Sequence, residues 1–350
     1  MAAAAAAGGD EGPRLFNNAN FLHLQKAKDI AKLYEGHAEK FAIFIREFQG
    51  QDVARTPRWE RRKYMQRLQN IANKQSRIIQ IDLDDLDVWS DGQEGIEKNE
   101  LSEACERYTL RYTEFFQQAC LELLPAPEPE FAQAKDQWLV QDYVHEWRRE
   151  QEDNAQKRGE DFKYDRSMLT NFTVVVKPRS KTIIKPLRKL SSHNIGGLVK
   201  IEAMVTKVTP VRPRMHTLTY HCAECNQEIY LPIEGEQYKP IDFCDSARCK
   251  ENSKKSVLIP VMRTSKVEKY QEFKIQEPQH QVPQGNVPIS RTVICKGELV
   301  RQVLPGDYIT VTGVYVPYKK RGFEAMAAGT LCQMYIEAYD ILKHKQGYAD

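Results

Sequence analysis

No G-x-x-x-x-G-K-[ST] run occurs in this chain, and neither G-x-S-x-G nor H-E-x-x-H does. Within these 350 residues there is thus no phosphate-cradling loop, no serine-hydrolase elbow and no two-histidine zinc helix. Long apolar runs are also missing. None approaches the roughly 20 residues that a membrane-crossing helix needs, so no membrane partner is expected. Met1 to Gly9 is alanine with glycine. It has neither a basic start nor a leucine-rich core, and so reads as a disordered tail (1–14) rather than a secretory signal. Eight cysteines in a chain of this length are too few for a disulfide scaffold, which favours a reducing compartment.

What is present is unevenly distributed. Residues 1–170 carry 24 Lys+Arg against 31 Asp+Glu, a net −7, while residues 171–350 carry 27 against 17, a net +10. A polyanionic partner therefore belongs to the back half. Four of the cysteines, Cys222, Cys225, Cys244 and Cys249, stand in C-x2-C-x18-C-x4-C spacing. Each close pair can hold one edge of a tetrahedral ion, and the intervening stretch is long enough for a returning hairpin. That pattern points to a structural Zn2+ site with no open coordination position. His221 adjoins the set and could replace one thiolate. Cys105, Cys120, Cys295 and Cys332 read as core.

The front half has helical period. Thr56-Pro57 supplies a cap and first-turn proline for a basic helix through Arg61, Arg62, Met65, Leu68 and Ile71. Leu101, Cys105, Tyr108, Tyr112, Phe116, Ala119 and Leu123 recur at three- and four-residue steps, predicting one long helix that Pro125 stops. In Ile81–Asp87 apolar and acidic residues alternate, which predicts a half-buried edge element rather than a carboxylate metal or nuclease site. Residues 133–149 suggest another helix, and 149–166 a charged connector.

From Phe172 the period changes to two. Short β-branched runs at Phe172–Val176, Leu198–Val208, Leu218–His221, Val257–Met262, Phe273–Ile275, Thr292–Cys295 and Tyr308–Val316 predict a small barrel or sandwich interrupted by the cysteine loop. Tyr315, Tyr318, Lys319, Lys320, Arg321 and Phe323 then interleave aromatic and basic side chains around a predicted hairpin tip. Its cations would track phosphates, and its rings could stack on bases.

Several ordered motifs carry a resemblance. Lys274-Ile275-Gln276-Glu277, Val282-Pro283-Gln284-Gly285-Asn286-Val287-Pro288, Leu304-Pro305-Gly306-Asp307, Val311–Pro317, Gly322-Phe323 and Met334–Ala338 resemble the N-terminal region of minichromosome maintenance (MCM) replicative helicase subunits. The gap in Cys244–Cys249, Phe44–Phe48 and Ile81–Asp87 are most similar to the subunit-seven branch. The resemblance implies an α+β multidomain fold: a helical A-subdomain (15–150), a linker (151–170), and an OB barrel (171–220 and 256–345) with an inserted zinc ribbon (221–255).

It also implies a nuclear hetero-hexamer of related MCM subunits that encircles DNA and acts in replication initiation and fork unwinding. Lys319, Lys320 and Arg321 would sit on a channel hairpin, and Gln276 and Glu277 would open a loop that communicates with a motor. That motor, with its ATP and Mg2+, would lie C-terminal of Asp350. Where many relatives carry Arg-Gly this chain has Glu202-Ala203, which leaves Lys207 as that strand's DNA contact. Where relatives carry Pro-Arg it has Pro288-Ile289, and Arg291, two residues on, keeps the strand face. The rival readings are a stand-alone OB single-strand-binding protein and a motor-less scaffold that competes in ring assembly.

Overall fold

The computed structural model describes residues 36–49, 62–91, 100–128, 140–157, 172–225, 228–233, 238, 240–244, 249, 257–318 and 333–344. Its helices are α1 (His37–Glu47), α2 (Lys63–Ala72), α3 (Leu83–Ser90), α4 (Glu100–Arg107), α5 (Thr109–Glu122) and α6 (Val140–Lys157). Its strands are β1 (Ile78–Asp82), β2 (Thr173–Lys177), β3 (Leu198–Val208), β4 (Arg212–Cys222), β5 (Glu228–Pro232), β6 (Leu258–Gln276), β7 (Ser290–Lys296), β8 (Tyr308–Pro317) and β9 (Met334–His344). None of the described helices is long and apolar enough to cross a membrane.

Helical spacing builds the first core. Phe41, Phe44 and Ile45 on α1, with Phe48 just after it, meet Tyr64, Leu68 and Ile71 on α2 and Tyr112, Phe116 and Ala119 on α5. The Phe41 and Phe116 rings stand 4.2 Å apart, and those of Phe44 and Tyr64 4.9 Å. Such pairs add stability beyond their buried area.

The expected long helix is broken at Tyr108, which has φ −124°. There the Thr109 hydroxyl donates to the carbonyls of Cys105, at 2.9 Å, and Glu106, at 3.2 Å. A threonine hydroxyl offers the backbone this alternative to the helical ladder. The expected edge element at Ile81–Asp87 is likewise corrected. Only its start is strand, and Leu83 onward is helix. Leu83 and Leu86, three apart, share a side only in a helix, and two first-turn acids, Asp84 and Asp85, favour the helix through its dipole. Asp82, Asp84 and Asp85 are partnered rather than merely solvated. Lys63 Nζ lies 2.6 Å from Asp82 and 2.5 Å from Asp85, and Ser180 donates to Asp84.

Helix α6 continues to Lys157, through part of the expected connector. The start of the helix expected from Thr56 lies outside the described residues. Strand β2, expected in the barrel series, instead pairs in parallel with β1, with Ile81 opposite Val176. It completes the helical core, because Val174, Val175 and Val176 are all buried there.

The other strands form one mixed sheet in the order β3-β8-β9-β7-β6-β4-β5, and an extra β3–β6 pairing closes the first five into a barrel. Five strands closed in this way are the OB architecture. Val199, Ile201, Ala203, Val205, Phe273, Ile275, Val293, Ile309, Val311 and Ile336 fill it, the inward set of each alternating strand. Val257–Met262 and Phe273–Ile275, two strands by sequence, belong to the single 19-residue β6. Its Tyr270–Gln276 half pairs with β7 in the barrel. Its Leu258–Lys266 half runs outward beside β4, and β5 closes the edge. The turn before β8 takes its shape from Pro305 followed by Gly306 at φ +92°, which is type II turn chemistry.

Candidate metal centre and nucleic-acid interface

Cys222 ends β4, and Cys225 follows in the turn toward β5. The Sγ atoms of Cys222, Cys225, Cys244 and Cys249 all lie within 4.8 Å of one another. Cys222 and Cys249 are 3.8 Å apart, and Cys225 and Cys244 3.6 Å. Four sulfurs at about 2.3 Å from a tetrahedral ion would have edges of about 3.8 Å, so the donor set fits such an ion. All four thiols are free of disulfides. Cys222, Cys244 and Cys249 are buried, with Ile229 and Leu258 packed against them. The cluster could bind a metal, and the four cysteines complete it without His221, which pairs with Glu228 and Ile259 along the strands. Cys105, Cys120 and Cys295 are core thiols, and burial pushes those of Cys120 and Cys295 up to about 12.

At the barrel, Lys207 follows a β3 bulge and stands directly opposite Lys274 of β6. Both are exposed. Their neighbours Val205 and Ile275 point the other way, into the core. Like charges directly across a sheet are unfavourable. Lys274 also lines an open groove of about 410 Å³ with Ser290, Arg291, Thr292, Gln333 and Met334. Arg291 registers with Ile275. Its Nη1 reaches only the Ser290 carbonyl, at 3.3 Å, and its buried Nε has no hydrogen-bond partner. Lys207 and Lys274 thus share the outer face, whereas Arg291, opposite inward-facing Ile275, lies on the other face of β7 and meets Lys274 only at the groove. Alternation in Phe273-Lys274-Ile275 was the signal that could have found Lys274.

Lys319, Lys320 and Arg321 lie outside the described residues. Their flanks are defined: β8 and β9 pair out to Pro317 and Met334, and Tyr318 N–H donates to Gln333 O at 2.6 Å. The groove therefore borders the root of that connection. Glu202, on β3, is occupied in accepting from the Tyr308 hydroxyl at 3.0 Å.

Gln276 ends β6, and Glu277 behind it is buried. The Glu277 carboxylate accepts from Arg188 Nη2 at 2.9 Å and from Ile289 N–H at 3.0 Å, while Glu277 N–H donates to Ile289 O. Arg188 in turn donates to Val287 O. Both ends of the 277–289 loop are thereby stapled to one buried carboxylate. Arg188 carries no local motif, so sequence could not have supplied this partner.

Comparison with known proteins agrees with this architecture. Residues 38–164 match the MCM N-terminal domain and residues 186–319 the MCM OB domain. The chain is 35% identical over 290 residues to the DNA replication licensing factor MCM7 of Oryza sativa subsp. indica, covering 82% of this chain and 39% of that relative. It is 34% identical over 313 residues to mcm7 of Xenopus tropicalis, covering 89% and 42%. The DNA replication licensing factor MCM6 of Arabidopsis thaliana matches at 31% over 132 residues, 38% of this chain and 16% of that relative. The chain thus spans about two fifths of the length of the MCM7 relatives it matches. Its helical front, its closed barrel and its ordered motifs converge with these matches: this chain belongs to the MCM family and comprises its N-terminal and OB domains, in a form similar to MCM7.

Proposed function

We propose that this chain is the DNA-gripping and ring-assembling part of an MCM7-like subunit in a nuclear, hetero-hexameric replicative helicase. In this reading it acts in replication initiation and fork unwinding. The observation that carries the reading is the barrel groove. Lys207 and Lys274 stand opposite each other on the outer strand face, and Lys274 meets Arg291 at the groove next to the β8–β9 root. A cross-strand lysine pair costs stability unless an anion relieves it, and a phosphate backbone is such an anion. Lys319, Lys320 and Arg321 would extend that track from the adjoining hairpin. The back-half charge of +10 supports a polyanionic partner for the half of the chain that contains the barrel.

The four cysteines would hold a structural Zn2+ whose role is folding of the β4–β5–β6 extension. With four thiolates it offers no place for a substrate. Gln276 and Glu277 would anchor the loop that communicates with a motor, and ATP and Mg2+ would belong to that motor. Related MCM subunits would flank the chain in the ring.

The test is anisotropy titration of a labelled single-stranded oligonucleotide across a salt series. Lys207→Glu, Lys274→Glu and Arg291→Glu should each weaken binding and lower the salt slope by about 1. Unchanged slopes in all three would remove this groove from the DNA path.

A further inference from the structure

The four thiols of the cysteine cluster differ in burial and in backbone. Cys222 is fully buried, and Cys244 and Cys249 are 5% and 8% exposed. Cys225 alone of the four is only half-buried. Cys222 is also fixed by its strand, since it ends β4 and pairs with Leu258 of β6. Cys225 lies in the turn beyond β4, and Cys244 in a stretch outside the strands. The Cys225 and Cys244 sulfurs are 3.6 Å apart, against 3.8 Å for Cys222 and Cys249.

A disulfide holds its sulfurs at about 2.05 Å, so closing the Cys225–Cys244 pair takes a movement of about 1.5 Å. Neither residue sits in a strand ladder, so both are free to make it. Cys222 moves only by peeling the end of β4 from β6. Zn2+ bound at the cluster would keep the sulfurs ionised, and the thiolate is the form that peroxide oxidises, the more exposed one first.

We propose that the cluster is an oxidation site for hydrogen peroxide, at which Cys225 reacts first and closes a disulfide with Cys244. The proposal rests on the structural Zn2+ reading above. The Cys225 thiolate attacks one peroxide oxygen, the O–O bond breaks, and hydroxide leaves to take up a proton as water. The Cys244 thiolate then attacks the sulfur of the resulting sulfenic acid. Its S–OH bond breaks, the S–S bond forms, and a second hydroxide leaves as water. The two sulfurs lose two electrons and the peroxide gains them. Two thiolates remain, too few to hold the ion. Its loss loosens the outer ends of β4 and β6. Their base stays tied to α6, where the buried Arg148 donates to Thr264 O at 2.7 Å and lies over the Tyr230 ring.

The experiment titrates the zinc-loaded chain with hydrogen peroxide. Released zinc is read with a chromogenic chelator, and cysteine pairing by mass spectrometry of the unreduced peptides. One zinc should leave per disulfide formed, Cys225–Cys244 should be the first linkage, and dithiothreitol with added zinc should restore the metal. Dimedone should trap the sulfenic acid on Cys225 in the wild-type chain, so no variant has to fold. The buried core thiols Cys105, Cys120 and Cys295 should still be reduced when the zinc is gone. A folded chain with no zinc before oxidation would sink the metal reading and this proposal with it. Zinc bound at the start and retained until the core thiols oxidise would overturn the proposal alone. So would a first disulfide through Cys222 or Cys249, or dimedone on another cysteine.

Discussion

Lys274 sits in the chain as one cation among many, and only its register opposite Lys207 gives it a cost and a use. Removing one member of a like-charged cross-strand pair relieves repulsion worth about 0.2–1 kcal/mol. Lys274→Gln should therefore raise the urea midpoint slightly while weakening DNA binding. A variant that loses both stability and binding would show the pair to be structural. Cys222 makes the opposite case, since its place in a four-cysteine cluster was readable from spacing and its packing adds to it. It is fully buried beneath Leu258 and Ile229. Cys222→Ser leaves three thiolates, so bound zinc should fall well below one per chain. Amide protection should be lost in the outer half of β4 and in β5 but kept in β3 and β8. Full zinc retention would count against the ligand set.

At the scale of elements, one close approach shapes the barrel and one buried carboxylate holds its 277–289 loop. The β8–β9 register shifts between Thr312 and Gly313, and a Cβ on Gly313 would run into the Glu337 carbonyl. That obstacle is backbone in a paired strand and cannot swing aside. Gly313→Ala should cost about 1–3 kcal/mol by overpacking, measured as a drop in denaturant midpoint without change in slope. The loop 277–289 depends on Glu277 in the same way. Glu277→Ala removes the acceptor for Arg188 and Ile289, and charge-assisted hydrogen bonds contribute roughly 1.5–3 kcal/mol. The expected result is modest global destabilisation with selective proteolysis inside the loop. An undiminished loop would mean that its own turns hold it.

For the whole molecule, acid is the informative variable. His145 and His216 both have pKa values held down to about 4, by burial first and then by Lys266 and neighbouring cations. The unfolded chain binds protons at these sites near 6.5 and the folded chain does not. Stability therefore falls as pH drops from about 6.5 toward 4. Glu106 adds to this at lower pH. Burial opposes its charge, but hydrogen bonds from Arg179 and Thr182 win and depress its pKa, so its contribution is present above the unfolded carboxylate range and lost below it. His145→Gln with His216→Gln should flatten the unfolding profile between pH 6.5 and 5. An unaltered profile would assign the acid sensitivity to the thiolates or carboxylates instead.

The extent of legibility follows from the range of each interaction. Cys222 to Cys249, the inward alternation of Leu198–Val208, the aromatic face of α1 and the Pro305-Gly306 turn are local patterns, and spacing within one segment was enough to determine them. Ile81–Asp87 was read wrongly because Ile81-Asp82-Leu83-Asp84 alternates as a strand would, whereas Leu83 and Leu86 stand three apart, a spacing that only a helix puts on one side. The helix dipole and the partners Lys63 and Ser180 settle it. Strand β2 looked like its barrel neighbours, but pairing with β1, across most of the helical front, puts it in the other core. The Lys207–Lys274 juxtaposition, the Arg188–Glu277 staple and the buried Arg148 each join side chains from separate segments. By itself the sequence determined the helical front, the alternating barrel strands and the four-cysteine cluster. The tertiary structure decided which cations share a face and which charges are buried, because those depend on strand register and on which surfaces pack.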